Sequence, residues 1–293
     1  MHVQQSFKNN TQGMGQLFLV PTPIGNLEDM TFRAVRILSE VDVIASEDTR
    51  NTQKLLNHFE LTTKQVSLHE HNVRERIPEL IARLQEGESI AQVSDAGMPS
   101  ISDPGHELVL AAIEAKIKVI ALPGASAGIT ALIASGIAPQ PFVFYGFLNR
   151  KANEQKKELT ELNQQTATLI FYESPHRVLK TLKVMEPILG SDRAVTLCRE
   201  LTKVYEEYIR GTISELITYL SEHSVKGECC LIVAGNTHPN TSETSEFDLS
   251  SLDIVTHVNL LIDSQQLTTK EAIKQVAKQR DLKKQDVYKQ YHS

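Results

Sequence analysis

Val93–Gly105 reads VSDAGMPSISDPG, and the rest of the chain arranges itself around this stretch. The apolar run Ile90–Val93, interrupted only by Gln92, leads into it, and a helical pattern, Glu107–Ala115, leads out. Between them stand two Asp, two Gly, two Pro and three Ser, more turn chemistry than a strand-to-helix connection requires. Prolines stiffen such a loop, and glycines permit positive φ or the close approach of a ligand to the backbone. Asp95 comes directly off the strand end, where open parallel sheets bind their ligands. Two readings stand side by side: a ligand loop, or a long capped βα connection with Asp103 as N-cap and Pro104 as first helical residue.

Working outward, Leu17–Val20 is a strand that breaks into PTPIGNLED, Pro21–Asp29, and Thr31 opens a helix. Val41–Ala45 is a strand ending in SEDTR, Ser46–Arg50, and a helix follows over Asn51–Phe59. Val66–Leu68 and Lys118–Leu122 are further strands, and Arg74–Leu84 is a helix. The last strand runs into PGASAG, Pro123–Gly128, ahead of a small apolar helix, Ile129–Ser135. This β-α alternation predicts a largely parallel sheet covered on both faces. Its strands end on one edge, so the loops PTPIGN, SDAGMPSISDPG and PGAS should converge.

A change of domain is expected near Ala138–Lys151. Beyond it come a polar surface or mobile helix over Lys151–Gln165 and the strand Thr168–Tyr172. ESPHR follows, with Pro175 in the first turn of a helix that reaches Met185. Ala194–Cys198 is a strand, Thr212–Ser221 a helix, and Glu228–Ala234 a last apolar strand. The expected plan is a flexible 1–16, α/β domains over 17–140 and 141–236, a linker over 237–251, and a small helical tail over 252–293. Seven Lys/Arg against three Asp/Glu from Lys270 to Lys289 make that tail basic. It is either a solvated helical piece packed on the body or a unit that touches phosphates.

The chain has 293 residues, 41% of them hydrophobic, and a net charge of −6, which argues against indiscriminate nucleic-acid binding while leaving room for a local basic face. No apolar run reaches transmembrane length and the N-terminus lacks a signal-peptide core, so a cytoplasmic protein is expected. Cys198, Cys229 and Cys230 read as core residues of a reduced protein. No GxGxxG or GxxxxGK[ST] fingerprint is present. His69 and His71 flank Glu70 as a surface pair, and no metal site is expected.

Three polar clusters follow strand ends: Glu47, Asp48 and Arg50; Glu173, His176 and Arg177; and Arg199, Glu200, Lys203, Glu206 and Glu207. Each alone is an ordinary ion-pair network. Together they are expected to line a cleft between the domains.

VPTPIGNLEDMTFRA, ASEDTR, VSDAGMPSISDPG, LPGASA, FYESPHR, CRELTKVYEE and KGECCLIVAG, in this order over Leu17–Gly235, resemble the ribosomal RNA small subunit methyltransferase I family of the tetrapyrrole-methylase superfamily. The resemblance implies two mixed α/β domains with S-adenosylmethionine in the cleft between them. It also implies 2′-O-methylation of a cytidine ribose in 16S rRNA of the small ribosomal subunit, and a homodimer. It places the cofactor against Pro21, Thr22, Pro23, Asp95, Ala96, Gly97, Ser102, Ser126 and Ala127, with Val233, Ala234 and Gly235 closing over it. Glu47, Asp48, Glu173, Glu200 and Lys203 are the catalytic candidates, because a ribose hydroxyl is a weak nucleophile that benefits from a base or a nearby charge. Arg50, Arg177 and Arg199 suit phosphates by type. Two other readings remain: a tetrapyrrole methyltransferase, and a non-catalytic RNA-binding assembly factor that uses the tail.

Overall fold

The structure, a computed structural model, describes residues 3–6, 13–103, 105–237, 252–265, 267–280 and 282–292, with the backbone alone over 263–265. Residues 1–237 form one compact unit and 238–293 a second.

The first sheet has five parallel strands: β1 (Gln16–Leu19), β2 (Val43–Ser46), β3 (Lys64–Ser67), β4 (Ile90–Val93) and β5 (Lys118–Ala121). Their order is β3-β2-β4-β1-β5, so the central strands are covered on both faces. That is why VIAS and IAQV carry no alternation: every residue of both is buried. Helices α1 (Phe32–Glu40) and α2 (Thr49–His58) pack Leu38 and Leu56 on Ile44 and Ala91 on one face. Helices α3 (Val73–Gln85) and α4 (His106–Glu114) pack Leu80, Leu84 and Leu108 on Val43, Ala45 and Ile90 on the other.

Gln92, the lone polar residue of β4, has a specific task. Its Nε2 donates to Ser100 Oγ at 2.9 Å, and a Cβ on Gly105 would come within 1.6 Å of the same nitrogen. The Gln92 amide therefore fills the floor beneath the long loop, and only glycine, here at φ 142°, lets the chain return over it. The N-cap of α4 is this Gly105, not Asp103, and Pro104 lies outside the described residues. The start of the chain also departs from expectation. Gln4 donates to Val119 O at 2.8 Å and accepts from Val119 N at 3.0 Å, satisfying backbone on the outer edge of β5.

The second sheet has order β6-β7-β10-β8-β9, from β6 (Phe142–Phe147), β7 (Thr168–Glu173), β8 (Ala194–Arg199), β9 (Glu207–Thr212) and β10 (Cys229–Val233). Only β6 and β7 are parallel. One face carries α6 (Ala152–Leu162), α7 (Val178–Leu189) and α8 (Ile213–Glu222) over a core that includes Leu159, Phe171, Leu182, Leu197 and Leu231. The helix expected on the surface is thus amphipathic, with Gln155, Leu159 and Leu162 buried. Pro175 sits in the turn ahead of α7, which starts only at Val178.

The other face of this sheet is covered by α5 (Ala127–Ser135), the helix that follows β5. Its composition, AGITALIAS, permits this. A Cβ on Gly128 would stand 3.2 Å from Phe144 and 3.3 Å from Ile170, so a small residue is needed where helix meets sheet. Ala131, Leu132, Ile170, Cys198, Cys230 and Ile232 form the shared core, joined by Ile24 of the first loop. All three cysteines are buried and unpaired, as a core role requires. Burial pushes the Cys198 thiol up to about 12 and that of Cys229 to about 11.

Among the described residues, the second unit has three helices, α9 (Ile254–Gln265), α10 (Thr269–Gln279) and α11 (Lys284–His292). The stripe Ala272, Ile273, Val276, Ala277 is spent inside this unit, against Val258, Leu261 and Val287. Thr268 and Glu271 form a reciprocal capping box at the start of α10. No helix among the described residues is long and apolar enough to cross a membrane.

Candidate functional site

The parallel sheet delivers four of its loops to one edge, and they touch. Thr22 N donates to Gly97 O and Gly97 N donates to Thr22 O, both at 3.0 Å, so the first loop and the long loop form a two-residue antiparallel bridge. Thr22 Oγ1 adds a bond to Ser94 O at 3.1 Å. Thr22 is buried, as are Pro21 and Gly97, while Pro23 is half-buried. The PGAS loop lies against both. A Cβ on Gly124 would meet Pro21 at 2.5 Å, and one on Gly97 would come within 3.4 Å of Ala125 O.

The SEDTR loop joins through Asp95. The Asp95 carboxylate accepts from Asp48 N at 3.2 Å and from Asn51 Nδ2 at 3.0 Å, and Asp95 N donates to Glu47 Oε2 at 3.3 Å. Asp95, Ala96 and Ser102 face solvent at this edge. Ser126, the N-cap of α5, makes no cap bond with its side chain, which leaves the hydroxyl beside Ala127 open to a ligand.

Acidity gathers here. Burial raises the Glu47 carboxyl above its ordinary value, helped by the nearby charge of Asp103. Burial likewise raises Asp103, against a hydrogen bond from Ser94 and with the help of Asp95. Asp48 goes the other way: its bonds with the Arg50 guanidinium and Arg50 N hold it at about 2. Asp48 also caps α2 and is thus fixed in place. The edge is a cluster of carboxylates, two of them reluctant to ionise, and so a place that favours a cation.

Two pieces of the second sheet reach this edge. A Cβ on Gly25 would lie 2.5 Å from Lys203 Cγ and 3.0 Å from Thr202 Oγ1, so the turn after β8 lies across the first loop. Lys203 Nζ bonds Glu200 at 3.0 Å and Glu228 at 2.8 Å. Partial burial works against its charge, but the two carboxylates prevail and hold the ammonium above its ordinary value. Glu200, lowered by a bond from Glu228 N and by Lys203, is tied into the same turn, where Glu200 and Thr202 adopt φ of 51° and 67°. The second piece is Tyr172, whose hydroxyl accepts from Gly128 N at 3.1 Å at the start of α5.

Other predicted residues are not brought to this edge. Glu173 points to the opposite face of its sheet, 5% exposed, accepting from Thr181 Oγ1 at 2.6 Å and from Ser174 N at 2.8 Å. Alternation along β7 dictates this, because Tyr172 already faces α5. Arg177 stands 3.7 Å from Glu173 and donates to Asn149 O at 3.4 Å. Arg199 is held by Glu207 at 2.5 Å and by Lys226 O at 3.2 Å. Arg50 is the exposed one, beside an open groove lined by Gln53, Thr63 and Lys64. Val233, Ala234 and Gly235 stand at the far end of the second sheet. β10 runs antiparallel to β7 and β8, so Val233 pairs with Leu169 and Val195, and Ala234 N bonds Ala194 O. The expectation that they close over the same pocket meets this geometry as an obstacle.

Tyr172, Asn51 and Asp103 belong to the site and were not picked from the sequence as site residues. Both Tyr172 and Asp103 lie inside motifs already singled out, Tyr172 at a strand end and Asp103 within the long loop. Nothing in the sequence marks Asn51 as the partner of Asp95, 44 residues away.

A family model described as Tetrapyrrole (Corrin/Porphyrin) Methylases matches residues 16–217. The chain is 57% identical over 293 residues to the ribosomal RNA small subunit methyltransferase I of Streptococcus pyogenes serotype M18, covering 100% of this chain and 99% of that one. It is 52% identical over 289 residues to the protein of the same name in Bacillus subtilis strain 168, covering 99% and 98%. Among solved structures it resembles a uroporphyrin-III C-methyltransferase from Thermus thermophilus complexed with S-adenyl homocysteine, at 16% identity and a TM-score of 0.56, over 75% of this chain and 97% of that one. With both sheets, their linking helix and near-complete coverage by these relatives in agreement, this chain belongs to the tetrapyrrole methylase family and, within it, to the ribosomal RNA small subunit methyltransferases I.

Proposed function

We propose that this protein transfers the methyl group of S-adenosylmethionine to the ribose 2′-hydroxyl of a cytidine in 16S rRNA of the small ribosomal subunit. Full-length identity of 57% to a protein named for small-subunit rRNA methylation carries the reading. The edge chemistry supports it. The cofactor supplies a methyl already activated by its sulfonium charge. Carboxylates from Glu47, Asp95 and Asp103, two of them raised in pKa first by burial and then by their neighbours' charges, suit a sulfonium and an ammonium group. The backbone at Ala96 and Gly97 and the hydroxyls of Ser102 and Ser126 offer polar contacts to the remainder, with Pro21, Thr22, Pro23 and Ala127 as walls.

Catalysis then consists of holding the ribose oxygen in line with the methyl while water is kept out. Among the carboxylates, Glu47 best suits proton acceptance. Its raised pKa makes it a better base than Asp48, which Arg50 holds at about 2. Lys203, bound by two carboxylates, stays a cation and serves as a fixed positive charge with Glu200 as its anchor. Glu173 supports the turn that carries Arg177. Arg50 is the guanidinium best exposed for phosphate. Val233–Gly235 enter the cofactor site only if the ligand extends to the far end of the second sheet. The protein works in the cytoplasm, where its substrate is, and as a homodimer.

The test is incubation with methyl-labelled S-adenosylmethionine and small subunits from a methylase-deficient strain, followed by digestion to nucleosides. Label should appear in 2′-O-methylcytidine. Label on a base, or transfer only to a porphyrinoid acceptor, overturns the assignment.

A further inference from the structure

The edge strand β6 contains a device that the methyl-transfer reading does not use. Its register with β7 runs Phe142–Thr168, Val143–Leu169, Phe144–Ile170, and then skips to Gly146–Phe171 and Phe147–Tyr172. One residue is inserted, and Gly146 takes φ +80° to accommodate it. Such bulges are rare in parallel pairs and serve to re-aim a side chain. Here the effect follows from alternation. Val143 and Tyr145 face the core under α6 and α7, and Phe144 faces α5. A regular strand would send Phe147 to the side of Val143 and Tyr145. The bulge instead turns it to the side of Phe144 and Tyr172, and returns Leu148 to the buried core.

The outcome is an aromatic step beside the site. Phe144 packs against Tyr172 with ring centroids 5.1 Å apart, and Phe147 against the same ring at 5.6 Å. Tyr172 bonds Gly128 N, one residue past Ala127. Phe144 is half-buried, but Phe147 is 60% exposed. An exposed aromatic ring placed by an inserted residue is not explained by packing. The loop that follows it is basic: Leu148-Asn149-Arg150-Lys151. Arg150 and Lys151 are exposed, and neither forms an ion pair among the described residues, in a chain whose net charge is −6. Arg177 bonds Asn149 O and so pins this loop to the turn after β7.

We propose that Phe147 is a base-stacking platform for single-stranded RNA at the entrance to the methyl-transfer site, with Arg150 and Lys151 meeting the adjoining phosphates. An aromatic face accepts any unstacked base, and neighbouring cations track the backbone without reading sequence. The role deepens the rRNA reading and rests on it. Phe147 holds a nucleotide beside the reacting one while the edge loops hold the methyl donor.

The test compares Phe147→Ala, Phe147→Leu and Phe147→Trp. Cofactor affinity, measured by calorimetry without RNA, should be unchanged in all three. For small subunits as substrate, Phe147→Ala and Phe147→Leu should raise KM by about tenfold, within what one base–aromatic stack supplies, and Phe147→Trp should restore it. The natural chain has no tryptophan. Phe147→Trp is therefore a single emitter, and small-subunit RNA should quench it saturably. Full activity of Phe147→Leu would reduce the residue to apolar packing, and an unquenched tryptophan would remove the stack. A change of molecular mass in Phe147→Ala would make the ring a contact between copies. Each of these overturns the proposal. The quenching measurement needs no methyl transfer, so an unstacked ring and a wrong reaction give different results.

Discussion

Thr22 and Gly97 exchange two backbone hydrogen bonds of 3.0 Å across 75 residues of sequence, and this bridge joins the first strand-end loop to the long one. Gly97 sits at φ +78°, and a Cβ there would crowd Ile24 Cγ2 at 3.2 Å. Gly97→Ala should therefore cost about 1–2 kcal/mol through the left-handed backbone alone. Thermal unfolding should show that loss, and titration calorimetry should show weaker cofactor binding in the same variant.

Asp95 takes two hydrogen bonds from the start of α2 and also faces solvent. Asp95→Asn retains the shape and removes the charge. Cofactor affinity should fall by about tenfold, equivalent to ~1.4 kcal/mol, with little change in the unfolding temperature of the ligand-free protein. Equal losses in stability and affinity would make the carboxylate a loop fastener rather than a ligand.

The crowded carboxylates set a pH dependence. Glu47 and Asp103 have folded pKa values above their ordinary 4.5 and 3.8, so the folded state binds more protons than the unfolded one in the interval just above those values. Stability of the ligand-free chain should fall as pH rises through that interval. Glu47→Gln should accordingly flatten the fall and raise the unfolding temperature near neutrality, while methyl transfer declines. Asp48 acts oppositely: its stabilising contribution is present above 3.8 and disappears as pH falls through about 2.

In the three-helix unit, His257 is fully buried, and its Nδ1 accepts from Arg280 Nε at 3.0 Å. Burial first, and the Arg280 charge second, lower its pKa below 6.5. The unfolded unit binds the proton more readily, so this unit should lose stability as pH falls below 6.5. Amide exchange should show α9 and α10 opening on mild acidification, and His257→Gln should remove the effect. An unchanged exchange pattern between neutral pH and pH ~5 would mean that the ring is not coupled to folding.

Much of this was legible in the residues. β4 occupies the expected Ile90–Val93, and apolar runs located the remaining strands of the first sheet within a few residues, because buried parallel strands advertise themselves by composition. β9 was harder: EYIRGT is an edge strand of intermediate burial, hidden inside a charged run. The bulge at Gly146 was illegible, since a single inserted residue leaves no period to read. Turn chemistry identified the converging loops. Which carboxylates face one another was not readable, because it depends on strand alternation and on contacts such as Asp95 with Asn51. Where Val233–Gly235 lie depends on strand direction in the second sheet, and where Glu173 points depends on alternation along β7; neither shows in the residues. Once β10 is antiparallel, its last residues leave the edge that β7 and β8 reach.

Backbone amide exchange with and without S-adenosylmethionine tests the shared edge most directly. Protection should rise together at Thr22, over Asp95–Ser102 and at Ser126–Ala127, and stay unchanged over 254–292. Protection confined to the far end of the second sheet, around Val195 and Val233–Gly235, would contradict it.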